Sequence, residues 1–156
     1  MTDLSNRPSR VRVIQADEGE LFGFRGAQIR RKVSAEEAIG RWTLTVGSQP
    51  PDFENSPHVH LHEPEAFFIL EGDYQFHTAE GDLPVGPGSL VYIPPGALHG
   101  FRTGAAGGRV VAISPAAFDG YFEDMRALFA AGTDTPEAMA AVARAHDMDA
   151  YPAKGG

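Results

Sequence analysis

Short apolar runs separated by Gly, Pro and Asp dominate the chain from about residue 11 to residue 113. Many short strands with turn residues at their ends are typical of β-sandwiches and β-barrels. The pattern therefore predicts an all-β fold. The predicted strands cover residues 11–14, 21–24, 27–33, 41–46, 58–62, 65–70, 74–78, 89–93, 99–102 and 109–113.

The pattern changes to helical spacing after residue 113. Ser114 can cap a helix and Pro115 suits its first position, while Gly132 is a natural end. The apolar residues that recur at helical spacing are Phe118, Phe122, Met125 and Phe129. A second helix is predicted from Thr135 to about residue 146. We expect both helices to cover the outside of the barrel or to pack against a second subunit.

This organisation predicts one domain in three parts: a flexible tail over 1–10, a barrel over 11–113 and a helical extension over 114–150. The aromatic residues of the extension are expected to be packing residues. No internal repeat or low-complexity segment divides the chain.

Composition and charge narrow the function classes. The 156 residues carry a formal net charge of −8, with no compact Lys/Arg patch, so nucleic-acid binding is not expected. There is no cysteine, which excludes disulfides, thiolate nucleophiles and cysteine-ligated metals. No apolar run is long enough to span a membrane, and the polar amino terminus lacks a signal sequence. A cytoplasmic location without membrane association is therefore expected.

Candidate metal ligands lie in two parts of the chain. His58 and His60 are two residues apart on a predicted strand, so their side chains share a face. Glu65 follows the break at Pro64, and His99 follows the turn formed by residues 94–96. Three imidazoles and a carboxylate suit one divalent first-row metal, whether Fe, Mn, Ni, Co or Zn.

His62 continues the same alternation and precedes Glu63-Pro64. We expect it at the edge of a loop, outside the ligand set, although a shift of register would bring it in. Phe67 and Ile69 share parity with Glu65, and Phe101 shares parity with His99. These three apolar residues are the best candidates for a substrate pocket, with the hydrophobic core as the alternative.

The spacing of eight residues resembles the two motifs of the cupins. The first motif is His-x-His followed by Glu and Gly, and the second is Gly followed by Pro-x-Gly and His. The matching residues are His58, His60, Glu65 and Gly72, then Gly88, Pro94, Gly96 and His99. Two positions depart from the pattern: Asp52 stands where Gly is usual, and Thr103 stands where Asn is usual. Neither is a ligand position.

The resemblance implies a double-stranded β-helix, or jelly-roll, barrel with a metal on His58, His60, Glu65 and His99. It also implies a homodimer. Within the cupins, the chain resembles the single-domain, quercetin 2,3-dioxygenase-like group. That resemblance implies a dioxygenase that cleaves a flavonol or a similar enolisable aromatic with O2.

Glu65 then has a second expected role, because a carboxylate that loosens from the metal is a base within reach of an enol or hydroxyl proton. The alternatives are a metal-assisted isomerase, cyclase or dehydratase acting on a small molecule, and a non-catalytic cupin that binds a small ligand.

Overall fold

The computed structural model describes residues 10–150, with Ala150 described by its backbone alone. The predicted tail, 1–10, lies outside this range except for its last residue. The described part is mostly antiparallel β-structure followed by two helices, so the predicted all-β class with two C-terminal helices is confirmed. The strands are β1 (Glu20–Phe24), β2 (Ala27–Val33), β3 (Trp42–Gln49), β4 (Glu54–His60), β5 (Glu65–Thr78), β6 (Gly81–Val85), β7 (Leu90–Ile93), β8 (His99–Pro115) and β9 (Met148–Ala150).

Strands β5 and β8 run through both walls of the jelly roll. The first half of β5 pairs with β7 and with the second half of β8, which in turn pairs with β3. The second half of β5 pairs with β6 and with the first half of β8, which in turn pairs with β4. One wall is therefore ordered β1-β2-β3-β8-β5-β7 and the other β9-β4-β8-β5-β6.

An aromatic core fills the space between the walls. Phe67, Tyr74, Phe76 and Phe101 are each at most 6% exposed, and Ile69 is fully buried. The ring centroids of Phe76 and Phe101 are 5.5 Å apart, within the range of favourable aromatic contacts. This core supports one end of the barrel, beside the histidine-bearing ends of β4 and β8.

Two of the predicted breaks are wrong, because β5 and β8 pass through them as single strands. The breaks predicted at 71–73 and 104–108 are irregularities within these strands, where the pairing register shifts. Gly72 and Gly107 adopt positive φ values of 84° and 70° there, which glycine allows. The glycines bend the strands from one wall to the other without ending them.

The remaining differences concern two whole strands and one strand end. No strand forms at 11–14, where Val11 is 98% exposed, and β4 begins at Glu54, before the strand predicted at 58–62. Strand β6, which contains Pro84, was not among the predicted strands. Proline is tolerated there because β6 is an edge strand that pairs with β5 alone.

The first helix begins later than predicted. Ser114 and Pro115 end β8, and a 3₁₀ turn over Ala116–Phe118 precedes helix α1 (Tyr121–Ala131). Gly132 ends α1 in the left-handed conformation, as predicted. Helix α2 (Pro136–Ala145) begins at the expected cap, since the Thr135 hydroxyl accepts a hydrogen bond from the Ala138 amide.

After α2 the chain returns to the barrel as β9, which pairs with β4 at His58–Ala150, Val59–Asp149 and His60–Met148. The extension thus contributes a strand beside the one that carries two of the candidate ligands. Within residues 10–150, neither helix has the length and apolar character needed to cross a membrane.

Candidate metal centre

The four candidate ligands converge at one end of the barrel. His58 and His60 end β4, His99 begins β8 and is paired with His58, and Glu65 begins β5. One potential ligand atom from each of the four lies within 4.8 Å of the others. His58 and His99, which are 41 positions apart in sequence, are paired within one wall, and Glu65 comes from the other wall.

Two backbone carbonyls orient the histidine rings. Nδ1 of His58 donates to the carbonyl oxygen of Ser56, and Nδ1 of His99 donates to that of Ala97, both at 2.9 Å. A proton held on Nδ1 leaves the lone pair of a neutral imidazole on Nε2. Second-shell hydrogen bonds of this kind commonly orient metal-binding histidines.

His60 and Glu65 are buried at the centre of the cluster. His60 is 2% exposed, and neither of its ring nitrogens has a hydrogen bond within the described residues. Its Nε2 lies 3.1 Å from Glu65 Oε2, and His99 Nε2 lies 3.0 Å from the same oxygen. The other oxygen of Glu65 accepts a hydrogen bond of 2.5 Å from the Ser114 hydroxyl.

Burial alone would raise the pKa of the Glu65 carboxyl, but its contacts with His60 and His99 outweigh this effect. They hold this pKa well below its ordinary value, so Glu65 is ionised. Burial and the neighbouring His99 lower the pKa of His58 to about 4. The set thus offers an ionised carboxylate and, in His58, a neutral imidazole, the forms that bind a divalent metal.

These donors fit a divalent first-row metal. The buried His60 ring without a hydrogen bond is the observation that tests the fit, because a buried polar group without a partner is costly. A metal ion bound by the four side chains would coordinate one nitrogen of the His60 ring. The cluster could therefore hold such an ion, and three nitrogens with one oxygen do not distinguish among Fe, Mn, Ni, Co and Zn.

His62 lies outside this cluster, as expected for a residue at a loop edge. Its side chain is 79% exposed, and its Nδ1 lies 2.6 Å from Oδ1 of Asp147. It therefore fastens the turn after β4 to the segment between α2 and β9.

The two departures from the cupin pattern have local explanations. Asp52 has a φ of 55°, in the left-handed region where glycine is favoured and where Asp is better tolerated than most residues. The hydroxyl of Thr103 donates to the carbonyl oxygen of Pro50 and accepts from the Phe53 amide, at 2.8 and 2.9 Å. These bonds tie the loop before β4 to β8.

A cavity of about 520 Å³ opens beside the cluster, and His58 and Glu65 line it. Phe67 and Phe101, two of the three predicted pocket residues, also line it. Ile69 does not, because its side chain is fully buried in the hydrophobic core.

The C-terminal helices close the cavity, which corrects the expectation that they cover the outside of the barrel. Phe118 lines it from the 3₁₀ turn before α1, Tyr121 and Phe122 from the start of α1, and Met139 from α2. Phe118 stands edge-on to His60, with ring centroids 5.6 Å apart. Helical periodicity indicated which face of these helices is apolar, but it carried no information on whether that face meets a wall or a cavity.

Comparison with known proteins agrees with the geometry. Residues 40–114 match the Cupin_2 family, a cupin domain. No curated protein matches the chain. Among solved structures, the polyketide cyclase RemF from Streptomyces resistomycificus has a TM-score of 0.61 and 23% identity, covering 69% of this chain and 80% of its own.

Two further structures share the fold. An RmlC-like cupin from Shewanella frigidimarina NCIMB 400 has a TM-score of 0.55 at 16% identity, covering 65% of this chain and 87% of its own. The nucleoside dehydratase Pac13 from Streptomyces has a TM-score of 0.54 at 14% identity, covering 68% of this chain and 83% of its own. Residues 40–114 thus match a cupin domain, and the barrel has the fold of these cupin structures.

Proposed function

We propose that this protein is a metal-dependent enzyme that cyclises, isomerises or dehydrates a flat, enolisable small molecule. One observation carries the proposal: two members of a buried cluster of three histidines and a glutamate line a cavity that is otherwise mostly apolar and includes seven Phe and Tyr side chains. When bound, the metal would supply a Lewis acid that polarises a carbonyl or enol oxygen. Aromatic walls favour a flat, partly apolar ligand.

The protein's own residues have distinct roles in this proposal. His58, His60, His99 and Glu65 hold the ion, and the carbonyls of Ser56 and Ala97 fix the orientation of two of the rings. The lowered pKa of Glu65 makes it a good ligand and a weak base. It gains basicity only by separating from His60 and His99, and the Ser114 hydroxyl would hold Oε1 in place while Oε2 accepts a proton.

Two fold relatives support a reaction of this class. RemF is a polyketide cyclase and Pac13 is a nucleoside dehydratase. The likeness at these identities concerns the fold, so the substrate class rests on the cavity.

Oxygen-dependent cleavage of a flavonol is the second candidate, and the donor set favours it. His58, His60, Glu65 and His99 would hold the ion, and a redox-active first-row metal would supply the chemistry for a reaction with O2. A flavonol is also flat and enolisable, so the same cavity suits it.

Metal content tests the shared basis of both candidates. Untagged protein analysed by elemental mass spectrometry is expected to hold about one first-row metal per chain. His99→Ala should lower this occupancy strongly because it removes a ligand. His62→Ala is the matched control and should keep the wild-type content. Full occupancy in His99→Ala, or an empty wild type after reconstitution, would contradict the site.

Reaction assays then separate the candidates. The first expects metal-dependent exchange of the α-protons of 1-tetralone in D2O without oxygen, measured by NMR and lost in Glu65→Gln. The second expects oxygen uptake with quercetin. Saturable binding with neither activity would identify a non-catalytic binding protein, and an active Glu65→Gln would remove Glu65 from the chemistry.

A further inference from the structure

One cationic side chain lines the cavity. Within residues 10–150, Arg25 is the sole Lys or Arg among the lining residues. It has no ion pair and no hydrogen bond there, and its guanidinium carbon lies 5.3 Å from the centroid of the Phe24 ring, which also lines the cavity. The lining carboxylate of Glu54 is already engaged, since Oε1 lies 2.9 Å from Nε2 of His77. The positive charge of Arg25 is therefore available to a ligand.

The backbone at Arg25 is held in an unusual conformation. Phe24 pairs with Ala27, so Arg25 and Gly26 form the two-residue turn between β1 and β2, with φ values of 48° and 86°. Turns of this type favour Asn or Gly at the first position, and another residue costs about 1 kcal/mol there. Such strain at a cavity points to function when the side chain has no ion pair or hydrogen bond within the described residues.

A second polar group faces the cavity without a partner. The Tyr121 hydroxyl has no hydrogen bond within the described residues, although its ring stacks on Phe118 with centroids 4.9 Å apart. Tyr121 and Arg25 line the same cavity. Burial raises the pKa of Tyr121, and the positive charge of Arg25 opposes that rise. Phe118 in turn contacts His60, so Tyr121 is two rings away from the metal centre.

We propose that Arg25 and Tyr121 bind an anionic group, such as a carboxylate, at the end of the substrate remote from the metal centre. This inference rests on the proposed function and narrows the substrate class. The substrate is a flat molecule with a carbonyl or enol oxygen at one end and an anionic group at the other. The guanidinium supplies charge and paired donors, and the phenol supplies one further donor.

The test compares two probes that differ in charge: 3-hydroxyflavone and its 4′-carboxylate. Binding to zinc-loaded protein is followed by fluorescence, because zinc has no redox chemistry that would consume the probes. The wild type should bind the carboxylate about tenfold more tightly than the neutral compound. Arg25→Gln should reduce this ratio to about one, Arg25→Lys should retain part of it, and Tyr121→Phe should lower it by about half.

Binding of the neutral probe shows that the cavity is intact in each variant. The control variant is Arg41→Gln, because Arg41 is exposed and lies outside the cavity lining, and it should keep the wild-type ratio of affinities. A wild-type ratio near one, or an unchanged ratio in Arg25→Gln, overturns the inference and leaves the proposed function standing. If the zinc-loaded wild type binds neither probe, the proposed substrate class fails and the inference fails with it.

Discussion

At the residue scale, two backbone carbonyls prepare the histidines for a metal. The carbonyls of Ser56 and Ala97 each lie two residues before the histidine whose Nδ1 they accept, so the orientation of each ring is set within its own strand end. The sequence could predict the four candidate ligands because alternation along a strand places His58 and His60 on one face, and because the spacing of all four resembles the cupin motifs. It could not predict the carbonyls, which depend on the backbone path before each histidine.

The lowered pKa of His58 gives the metal-free protein a pH-dependent stability. The folded state has a pKa of about 4 against 6.5 in the unfolded chain, so between these values the unfolded chain binds the additional proton. Stability must therefore fall as the pH falls through this window. We expect His58 to account for about 2 kcal/mol, less than the full linkage value because the ring is partly exposed.

Urea unfolding of the EDTA-treated protein across this pH range measures the effect. Glu65 acts in the same direction at lower pH, since its lowered pKa stabilises the folded state above the ordinary carboxyl range and that contribution is lost on further acidification. His58→Asn should flatten the curve between about pH 6.5 and pH 4. If His58→Asn keeps the wild-type dependence of stability on pH, a group other than His58 binds the proton.

At the element scale, the bends of β5 and β8 depend on glycines that touch backbone. A Cβ at Gly72 would lie 2.1 Å from the carbonyl oxygen of Gly107, in addition to the strain of a positive φ. We expect Gly72→Ala to lower the free energy of unfolding by about 3 kcal/mol or more. The midpoint of urea unfolding measures this loss.

Gly88→Ala is the matched control, because Gly88 has nearly the same φ, 85°, but no heavy atom within 4 Å of its Cβ position. It should lose about 1 kcal/mol, the cost of the left-handed conformation alone. If the two variants lose the same free energy of unfolding, the backbone of β5 and β8 moves apart without cost to make room for the added Cβ at residue 72.

The same glycines explain why the strand boundaries were hard to predict. A segment such as Glu71-Gly72-Asp73 satisfies the chemistry of a turn and of a bulge equally well. The choice depends on whether the chain beyond it pairs with the same neighbour, and here β8 continues alongside β5 past Gly72. The local sequence pattern predicted that strands form in these segments. Whether two neighbouring segments form one continuous strand depends on pairing partners that are distant in sequence.

At the scale of the whole molecule, Arg31 connects the segment that contains α1 to the barrel. From β2 it donates to the carbonyl oxygen of Asp119 at 2.8 Å and pairs with Glu123 at 2.6 Å and with Glu20. Its side chain is 12% exposed. Removing the cation leaves the partly buried Asp119 and Glu123 without their counter-charge, which is destabilising.

We expect Arg31→Gln to lower the free energy of local opening of α1 by about 2 kcal/mol. This change corresponds to about thirtyfold faster amide hydrogen exchange in α1. Mass spectrometry of peptic fragments measures this rate. Arg109→Gln, which breaks an exposed pair with Glu71, should leave α1 unchanged. Faster exchange throughout the barrel in Arg31→Gln would instead indicate global destabilisation.

The pairing of β9 with β4 has a consequence for the synthesis of the chain. The strand that carries His58 and His60 has an open edge until Met148–Ala150 leaves the ribosome, after every other strand and both helices. Until then the nascent chain presents that edge and the apolar cavity to its surroundings, where unpaired strands invite association. Among the described residues, the last strand to be translated is thus the one that completes the wall of the candidate metal centre.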